Sequence, residues 1–335
     1  MASDVSGRKI GAVLILTGFF LIAVLWEMDF KLAVTALSEA NKLLFFPMVL
    51  CYFLGHTLRA VRLWILLERE QSFGRIFAIH SVGFLSINVM PLRMGELVRP
   101  YLLLEKEDVP ISRSLAAVLL ERLLDMSMLL ILLLGVTWFV ELPERGIELA
   151  GIDLIDAGQR GTGILIVVGI FAGGFFVWGG QYVDSLLKRL PRGDSLLSFA
   201  GSFRQGLSSL FAQPIRAMFL VIISLSIWGL TLLGVWAVLN AFTLMPTSFA
   251  VAWVVWTVVL TGMTAVPTPG FFGIYELACV AALKLWLVDP TLSRTFAIVL
   301  HLGQFLFILF LGGLFLFLEG LSLKDLSKKI STNTE

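Results

Sequence analysis

The chain has 335 residues, of which 58% are hydrophobic and only 15% are charged, and its mean hydropathy is +0.92. A soluble domain carries roughly 25% charged residues, so this composition excludes a water-soluble globular protein and indicates an integral membrane protein. The net charge of +1 gives no reason to expect a nucleic-acid partner. The two cysteines, Cys51 and Cys279, lie in apolar stretches without disulfide or metal-site spacing, so we expect them to be packing residues.

The first apolar segment, residues 10–26, follows Arg8 and Lys9 as the core of a signal peptide would. It is longer than a typical signal core, and Glu27 and Asp29 stand where a small-residue cleavage site is expected. We therefore interpret it as a retained transmembrane helix. A membrane-spanning helix needs about 20 residues, and five further apolar segments have about that length: 44–66, 115–140, 162–180, 217–242 and 295–318.

Two more apolar stretches, 76–104 and 249–288, are interrupted by proline and glycine. The interruptions contain Pro91 and Gly95 in the first stretch and Pro267, Pro269, Gly270 and Gly273 in the second. Lipid cannot satisfy the polar groups of a broken backbone, so each break must line a cavity or lie against protein. We predict two re-entrant hairpins; the alternative is that each break is an ordinary loop between two full spans or a proline kink.

The distribution of Lys and Arg predicts the orientation of the chain, because positively charged loops stay in the cytoplasm. If the N-terminus is inside and each broken stretch enters and leaves on one side, the cytoplasmic segments carry fourteen Lys and Arg residues and the outer segments five. Both termini are then cytoplasmic, and the tips of the two hairpins point at each other. Opposed discontinuous helices are typical of inverted-repeat transporters with a site near the membrane midplane.

Seven ionisable residues lie at the depth of the hydrocarbon core in this arrangement. They are Arg93, Glu96 and Arg99 in the first broken stretch, Glu121, Arg122 and Asp125 in segment 115–140, and Glu276 in the second broken stretch. An unpaired charge costs about 2.5 to 3.5 kcal/mol at a helix centre, so these residues must face one another, water or a ligand. We expect a polar cavity in which arginines bind a phosphate through parallel hydrogen bonds. The alternative is a structural ion network that fixes the hairpin.

The glycines of the breaks suggest a second source of anion binding. If Gly95 and Gly273 precede helix N-termini, the first backbone N–H groups of those helices would add donors for an anionic headgroup.

Six further polar residues lie in apolar segments, namely His56, Arg59, Arg62, His80, His301 and Gln304. The first three repeat at helical spacing near the predicted cytoplasmic end of segment 44–66, so we interpret them as side chains that reach the lipid headgroups. The other three are single polar groups on apolar helices, which packed helices commonly bury with a hydrogen bond. Lining of the cavity is the alternative for them.

No catalytic or cofactor-binding motif is found in the sequence. It contains no H-E-x-x-H, no P-loop, no G-x-S-x-G and no G-x-G-x-x-G opening a helix after a strand. Glu121 and Asp125 alone offer too few oxygens for magnesium, because they lie on one helix face. We therefore expect no catalytic residue, no metal and no cofactor.

Three ordered motifs carry a family resemblance. They are Pro91-Leu-Arg-Met-Gly-Glu-Leu-Val-Arg99, Ala116-Ala-Val-Leu-Leu-Glu-Arg-Leu-Leu-Asp125 and Pro267-Thr-Pro-Gly-Phe-Phe-Gly-Ile-Tyr-Glu276. With these motifs the chain resembles, over residues 10–320, the lysylphosphatidylglycerol synthase transmembrane-region family, also described as flippase-like membrane proteins. The resemblance implies a bacterial cytoplasmic-membrane protein that moves a lipid headgroup between leaflets. The synthases carry aminoacyl transfer in a large C-terminal domain, whereas 16 residues follow Glu319 here, so we do not expect the synthase activity.

The sequence therefore predicts an all-α polytopic membrane protein. It has about six full transmembrane helices plus two opposed re-entrant helical hairpins, in an inverted-repeat-like arrangement. Residues 1–320 form one transmembrane domain in this interpretation, and residues 321–335 form a short cytoplasmic tail. The number of copies in an assembly is left open.

The leading functional hypothesis is a flippase or scramblase of the bacterial inner membrane. It would move an anionic or phosphate-bearing lipid headgroup, with membrane lipids as its partners. One alternative is a membrane-embedded transferase acting on a lipid carrier, with Glu121 and Asp125 as metal or base groups. Another is a non-catalytic partner of cell-envelope enzymes that docks glycosyltransferases through residues 181–214.

Overall fold

A computed structural model of the chain describes residues 18–19, 22, 24–26, 28–90, 95–141, 148–149, 152–153, 180–189, 193–265, 268–323 and 325–326. The regular secondary structure in this part of the chain is helical apart from two antiparallel two-residue strands, β1 (Glu148–Leu149) and β2 (Ile152–Asp153). Its eleven α-helices are α1 (Phe30–Glu39), α2 (Phe45–Leu66), α3 (Phe73–Val89), α4 (Val98–Glu107), α5 (Ile111–Phe139), α6 (Gly180–Lys188), α7 (Gly193–Ala212), α8 (Pro214–Ala241), α9 (Phe249–Ala265), α10 (Ile274–Leu283) and α11 (Pro290–Leu318).

Four helical stretches in the described residues are long and apolar enough to cross a membrane. They are Lys42–Leu66, Pro214–Ala241, Pro269–Trp286 and Pro290–Leu318. The predicted apolar helices at 44–66, 217–242 and 295–318 are thereby confirmed. The predicted segment 115–140 falls in α5, whereas segments 10–26 and 162–180 lie largely outside the described residues.

Two successive sets of helices match in length. The helices α3, α4 and α5 have 17, 10 and 29 residues, and α9, α10 and α11 have 17, 10 and 29 residues as well. Residues 90–97 separate α3 from α4, and residues 266–273 separate α9 from α10. The 17-residue helices α3 and α9 each end two residues before a proline of the break, and helical backbone is disfavoured directly before proline. The positions of both breaks are thus confirmed, while the re-entrant path and the opposite orientation of the two sets stay predictions.

The chain forms two compact units, each assembled from segments that are distant in sequence. Unit 1 combines Met1–Thr57, Phe77–Arg99 and Ile227–Glu335, and unit 2 combines Leu58–Ile76 and Pro100–Ser226. The single domain expected over residues 1–320 stays a prediction.

Unit 1 contains close helix crossings at glycine. The helix α10 packs against both α9 and α11. Where α11 approaches α3, a Cβ on Gly312 would lie 2.5 Å from the Cβ of Leu85 and 2.7 Å from the carbonyl oxygen of Ser81. The absence of a side chain at Gly312 therefore sets the distance between these two helices.

Unit 2 contains a small apolar core between α5 and α7, formed by Ala116, Leu120 and Phe203. The helix α6 is joined to α7 by the ion pair of Asp184 and Arg204, with 2.9 Å between Oδ1 and Nη1. Most of the segment 181–214, proposed from the sequence as a docking loop, is therefore helical, and its longer helix buries Phe203 against α5.

Candidate functional site

The two helix breaks lie next to each other in unit 1. A Cβ placed on Gly270, in the second break, would lie 3.3 Å from the carbonyl oxygen of Asn88, near the end of α3. Gly95, in the first break, is packed against the same helix, since its Cβ would lie 2.2 Å from the carbonyl carbon of Ser86. Glycine permits both close backbone approaches. The structure thus brings together the two interruptions that the sequence analysis singled out.

The second break turns the chain through a short 3-10 segment, Pro269–Phe271. Gly270 and Gly273 have φ angles of 59° and 86°, which glycine adopts without a steric penalty. The Thr268 hydroxyl donates to the carbonyl oxygen of Phe272 over 3.1 Å. This hydrogen bond spans the turn and fixes its shape before α10 begins. We call residues Thr268–Gly273 the tip.

Glu276 lies in the first turn of α10 and is only 3% exposed. Its Oε2 accepts a hydrogen bond from the backbone N–H of Gly273 over 2.6 Å. Gly273 precedes the N-terminus of α10, and its N–H group is satisfied by the chain's own carboxylate. An anionic headgroup could use this donor only after displacing Glu276.

His301 of α11 connects the tip with α10. Its Nδ1 lies 2.6 Å from Oε1 of Glu276, and its Nε2 lies 2.9 Å from the carbonyl oxygen of Gly270. The imidazole is stacked on the Tyr275 ring at 4.3 Å between centroids, and Gln304 donates to the Tyr275 hydroxyl over 2.8 Å. The expectation that His301 and Gln304 are buried with hydrogen bonds is confirmed.

Arg99 supplies a buried cation at the first break. Only 2% of the residue is exposed. Its side-chain carbons occupy the space beside Gly83, where a Cβ would lie 2.1 Å from Cγ. The guanidinium carbon lies 5.9 Å from the centroid of the Phe84 ring, a distance at which a cation is attracted to an aromatic face. Gly83 therefore makes room on α3 for an arginine.

His56 was interpreted from the sequence as a side chain that reaches the headgroups, and that interpretation is wrong. The residue is 4% exposed, and its Nε2 lies 2.9 Å from the Ser81 hydroxyl. Because that hydroxyl donates to the carbonyl oxygen of Phe77 over 2.8 Å, it accepts from His56, whose Nε2 must carry the proton. His80, which is fully buried, lies beside His56 with 4.8 Å between ring centroids.

Unit 2 contains a separate buried charge cluster around Arg62. This residue is 1% exposed, so its interpretation as a headgroup anchor is also wrong. Its Nη1 donates to Oδ1 of Asp125 over 2.9 Å and to the Ser224 hydroxyl over 3.2 Å. Its Nε lies 3.8 Å from Oε1 of Glu121. The two carboxylates of α5 thus have a cation from α2 beside them, a partner that the sequence analysis did not assign.

The remaining predicted site residues are placed as follows. Pro91, Arg93 and Pro267 lie outside the described residues. Glu96 and Arg122 are half-buried. Within unit 1 the structure therefore brings together the described parts of both breaks, including Gly95, Pro269, Gly270 and Gly273, with the buried side chains of Arg99 and Glu276 near them in sequence.

Sequence reasoning missed Arg62 and gave little weight to His301. The signal for His301 was the spacing of His301 and Gln304, which places two polar groups on one face of an otherwise apolar helix. For Arg62 the signal was that Glu121 and Asp125 share one face of α5, so a cation from another helix is needed to neutralise them.

The family model for the lysylphosphatidylglycerol synthase TM region matches residues 9–312 of the chain. Neither the comparison with curated proteins nor that with solved structures found a match.

Proposed function

Because this chain belongs to the family of the lysylphosphatidylglycerol synthase TM region, we propose that it moves a lipid headgroup across the membrane. The family and the apolar helices establish a multi-pass membrane protein related to lipid and cell-envelope processes. The proposal adds a flippase or scramblase activity, an anionic or phosphate-bearing headgroup as the cargo, and a bacterial inner membrane with both termini in the cytoplasm.

The contact between the two helix breaks carries the proposal. Gly270 of one break lies against Asn88, next to the other break, and the buried Glu276 and His301 lie directly at this contact. Broken backbone inside a membrane domain is tolerated where it lines a cavity or is buried in protein. Discontinuous helices that meet near buried ionisable side chains are the usual construction of a transport site.

The arginines at the first break are the reason for proposing a phosphate-bearing headgroup. The guanidinium of arginine stays charged in a dry site and binds a phosphate with two parallel hydrogen bonds. Arg99 is the buried arginine described at the first break, and the sequence provides Arg93 in the same break. In this proposal these arginines hold the headgroup while the acyl tails remain in the bilayer.

The test is a reconstitution of the purified protein into liposomes with a fluorescent short-chain phosphatidylglycerol. A membrane-impermeant quencher then measures how fast the reporter crosses between leaflets. A charge-assisted hydrogen bond is worth about 1.5 to 3 kcal/mol, so the double variant Arg93→Ala/Arg99→Met should slow crossing about tenfold or more. Arg69→Ala is the matched control, because Arg69 is an exposed residue in the turn after α2, and its rate should equal that of the unmodified protein.

An unchanged rate in the double variant would end this assignment of the arginines, and equal rates with and without protein would end the proposed activity. Mass spectrometry of the lipids recovered after the assay separates the transferase alternative, since a transferase changes the mass of its lipid substrate and a flippase does not.

A further inference from the structure

The hydrogen bonds of His301 fix the number of protons in the buried pair that it forms with Glu276. The carbonyl oxygen of Gly270 can only accept, so Nε2 of His301 must carry a hydrogen. Oε2 of Glu276 accepts from the Gly273 N–H, so the contact with His301 is left to the other oxygen, Oε1, which faces the lone pair of a neutral Nδ1. The 2.6 Å contact between Nδ1 and Oε1 therefore needs one proton of its own.

Two protonation patterns satisfy this contact. Either an imidazolium donates to a carboxylate, or a protonated carboxyl group donates to a neutral imidazole. Both patterns contain the same number of protons and leave the pair with no net charge. Without that proton, lone pairs of Nδ1 and Oε1 would face each other at 2.6 Å, and a net negative charge would remain on groups that are 3% and 4% exposed.

The tip depends on this contact from both sides. His301 holds the carbonyl group of Gly270, and Glu276 holds the N–H group of Gly273. Because each of these side chains holds one end of the tip, separation of His301 from Glu276 would pull the two backbone groups apart or break one of the two hydrogen bonds. The tip is also the part of the second break that lies against Asn88.

We propose that Glu276 and His301 form a binding site for one exchangeable proton, whose release opens the tip and couples lipid movement to a proton gradient. The coupling rests on the function proposed above, whereas the proton site and the opening of the tip do not. Above about pH 6.5, where a solvated imidazole and a solvated carboxylate are both unprotonated, the closed tip binds one proton more than the open tip, so rising pH favours opening in that range.

Other ionisable groups near the pair are few among the described residues. Tyr275 and Cys279 lie on α10 itself, and Tyr52 of α2 is close enough to Tyr275 to interact with it electrostatically. The helix α9 carries no ionisable residue, and neither does α3 after His80. The first break contributes Glu96 and Arg99, and α11 contributes Arg294 two turns before His301. Glu276 and His301 are hydrogen-bonded both to each other and to the tip backbone.

The decisive variant is Glu276→Gln. Its amide oxygen can accept from the Gly273 N–H while its NH₂ group donates to Nδ1 of His301, which reproduces the proton-bound geometry without a releasable proton. His301→Gln is the second variant, because it keeps a donor for the Gly270 carbonyl group but cannot titrate. Glu39→Gln is the control, since Glu39 is an exposed carboxylate at the end of α1.

Hydrogen–deuterium exchange of the peptide covering the tip tests the proton site without any transport. After correction for intrinsic exchange, the opening equilibrium of the unmodified protein should rise about tenfold per pH unit above about pH 6.5, the slope for release of one proton to solvent. Glu39→Gln should behave in the same way. Glu276→Gln should give a flat profile, and if that variant does not fold, His301→Gln decides the result. A flat profile in the unmodified protein, or the same slope in all variants, overturns the proposal.

The coupling is tested with the liposome assay under an imposed pH gradient, with the membrane potential clamped. Crossing of the fluorescent phosphatidylglycerol should respond to the gradient in the unmodified protein and in Glu39→Gln, and the response should be lost in Glu276→Gln. Crossing that ignores the gradient in every protein overturns the coupling. If no protein moves the lipid at all, the proposed function fails, and the exchange experiment still decides whether the proton site exists.

Discussion

The buried Arg62 guanidinium and the Asp125 carboxylate, whose side chain is 17% exposed, form an ion pair within unit 2, with 2.9 Å between Nη1 and Oδ1. Arg62 also lies 3.8 Å from Glu121 and donates to Ser224. The two carboxylates are four residues apart on α5 and share one helix face, so one cation from α2 serves both. Because Ser224 lies on α8, the cluster connects three helices.

We expect Arg62→Met to destabilise the protein by about 3 kcal/mol, the lower end of the range for breaking a buried pair, because the buried Glu121 and the partly buried Asp125 lose this cation. Methionine keeps much of the apolar volume, so the loss reports mainly on charge. Thermal unfolding of the purified protein in detergent measures the effect.

Arg69→Met is the control for this prediction. The Arg69 side chain is exposed, with its guanidinium carbon 5.3 Å from the Trp64 ring centroid, and an exposed cation–π contact is worth about 0.5–1 kcal/mol. The triple variant Arg62→Met/Glu121→Gln/Asp125→Asn should recover part of the lost stability. Equal unfolding temperatures for Arg62→Met and Arg69→Met would show that Arg62 does not stabilise the folded protein through the two carboxylates of α5.

Gly270→Ala tests the contact between the two helix breaks. Its Cβ would lie 2.9 Å from two atoms of the Phe272 ring and 3.3 Å from the carbonyl oxygen of Asn88, in addition to the strain of φ 59°. Gly320→Ala has the same strain at φ 61° but no atom within 4 Å. A left-handed residue costs about 1–2 kcal/mol and overpacking a further 1–3 kcal/mol, so Gly270→Ala should lower the unfolding temperature clearly more. An equal fall of the unfolding temperature in both variants would mean that the tip moves away from Asn88 without a measurable cost in stability.

The positions of the helices and of both breaks could be predicted from the sequence, because they depend on local properties. Apolar length determines which segments are long enough to span, and proline interrupts a helix wherever it occurs in the interior. The break at 266–273 and the glycines Gly270 and Gly273 were found in this way.

The partners of the charged residues could not be predicted, because they depend on which helices touch. Asp125 pairs with a residue 63 positions away, and nothing in a single sequence distinguishes Arg62 from Arg93 as its partner. His301 lies 25 residues from Glu276, and its importance appears only when α10 and α11 are packed. Hydrophobic patterning predicts the depth of a side chain in the membrane and the helix face on which it lies, but it does not determine which helix packs against that face.

The ion pair of Glu70 and Arg113 leads to a prediction of pH dependence. Arg113 donates to the Glu70 carboxylate over 2.7 Å, and this hydrogen bond holds the pKa of Glu70 below its ordinary value. A lowered pKa means that the stabilisation is present above the ordinary pKa and is lost as the pH falls through the folded-state value. Glu70→Gln should therefore lower the unfolding temperature slightly at neutral pH and have no effect in strong acid. The shift should be small because the pair is exposed and screened by water.

The exposed carboxylate Glu39 is again the control, and Glu39→Gln should follow the unmodified protein at both pH values. A Glu70→Gln effect that persists unchanged in strong acid would contradict the role of this ion pair.

Gly312 and Gly313, adjacent in the interior of α11, provide the last matched pair. A Cβ on Gly312 would lie 2.5 Å from the Cβ of Leu85 and 2.7 Å from the carbonyl oxygen of Ser81, whereas a Cβ on Gly313 would meet no atom within 4 Å. Gly313→Ala should stabilise the protein by about 0.5–1 kcal/mol, because alanine loses less backbone entropy in a helix than glycine. Gly312→Ala gains the same stabilisation from backbone entropy but must push α11 away from α3, which costs typically 1–3 kcal/mol. Opposite shifts of the unfolding temperature in the two variants are therefore expected, and a gain in both would mean that the crossing of α3 and α11 is looser than the backbone distances require.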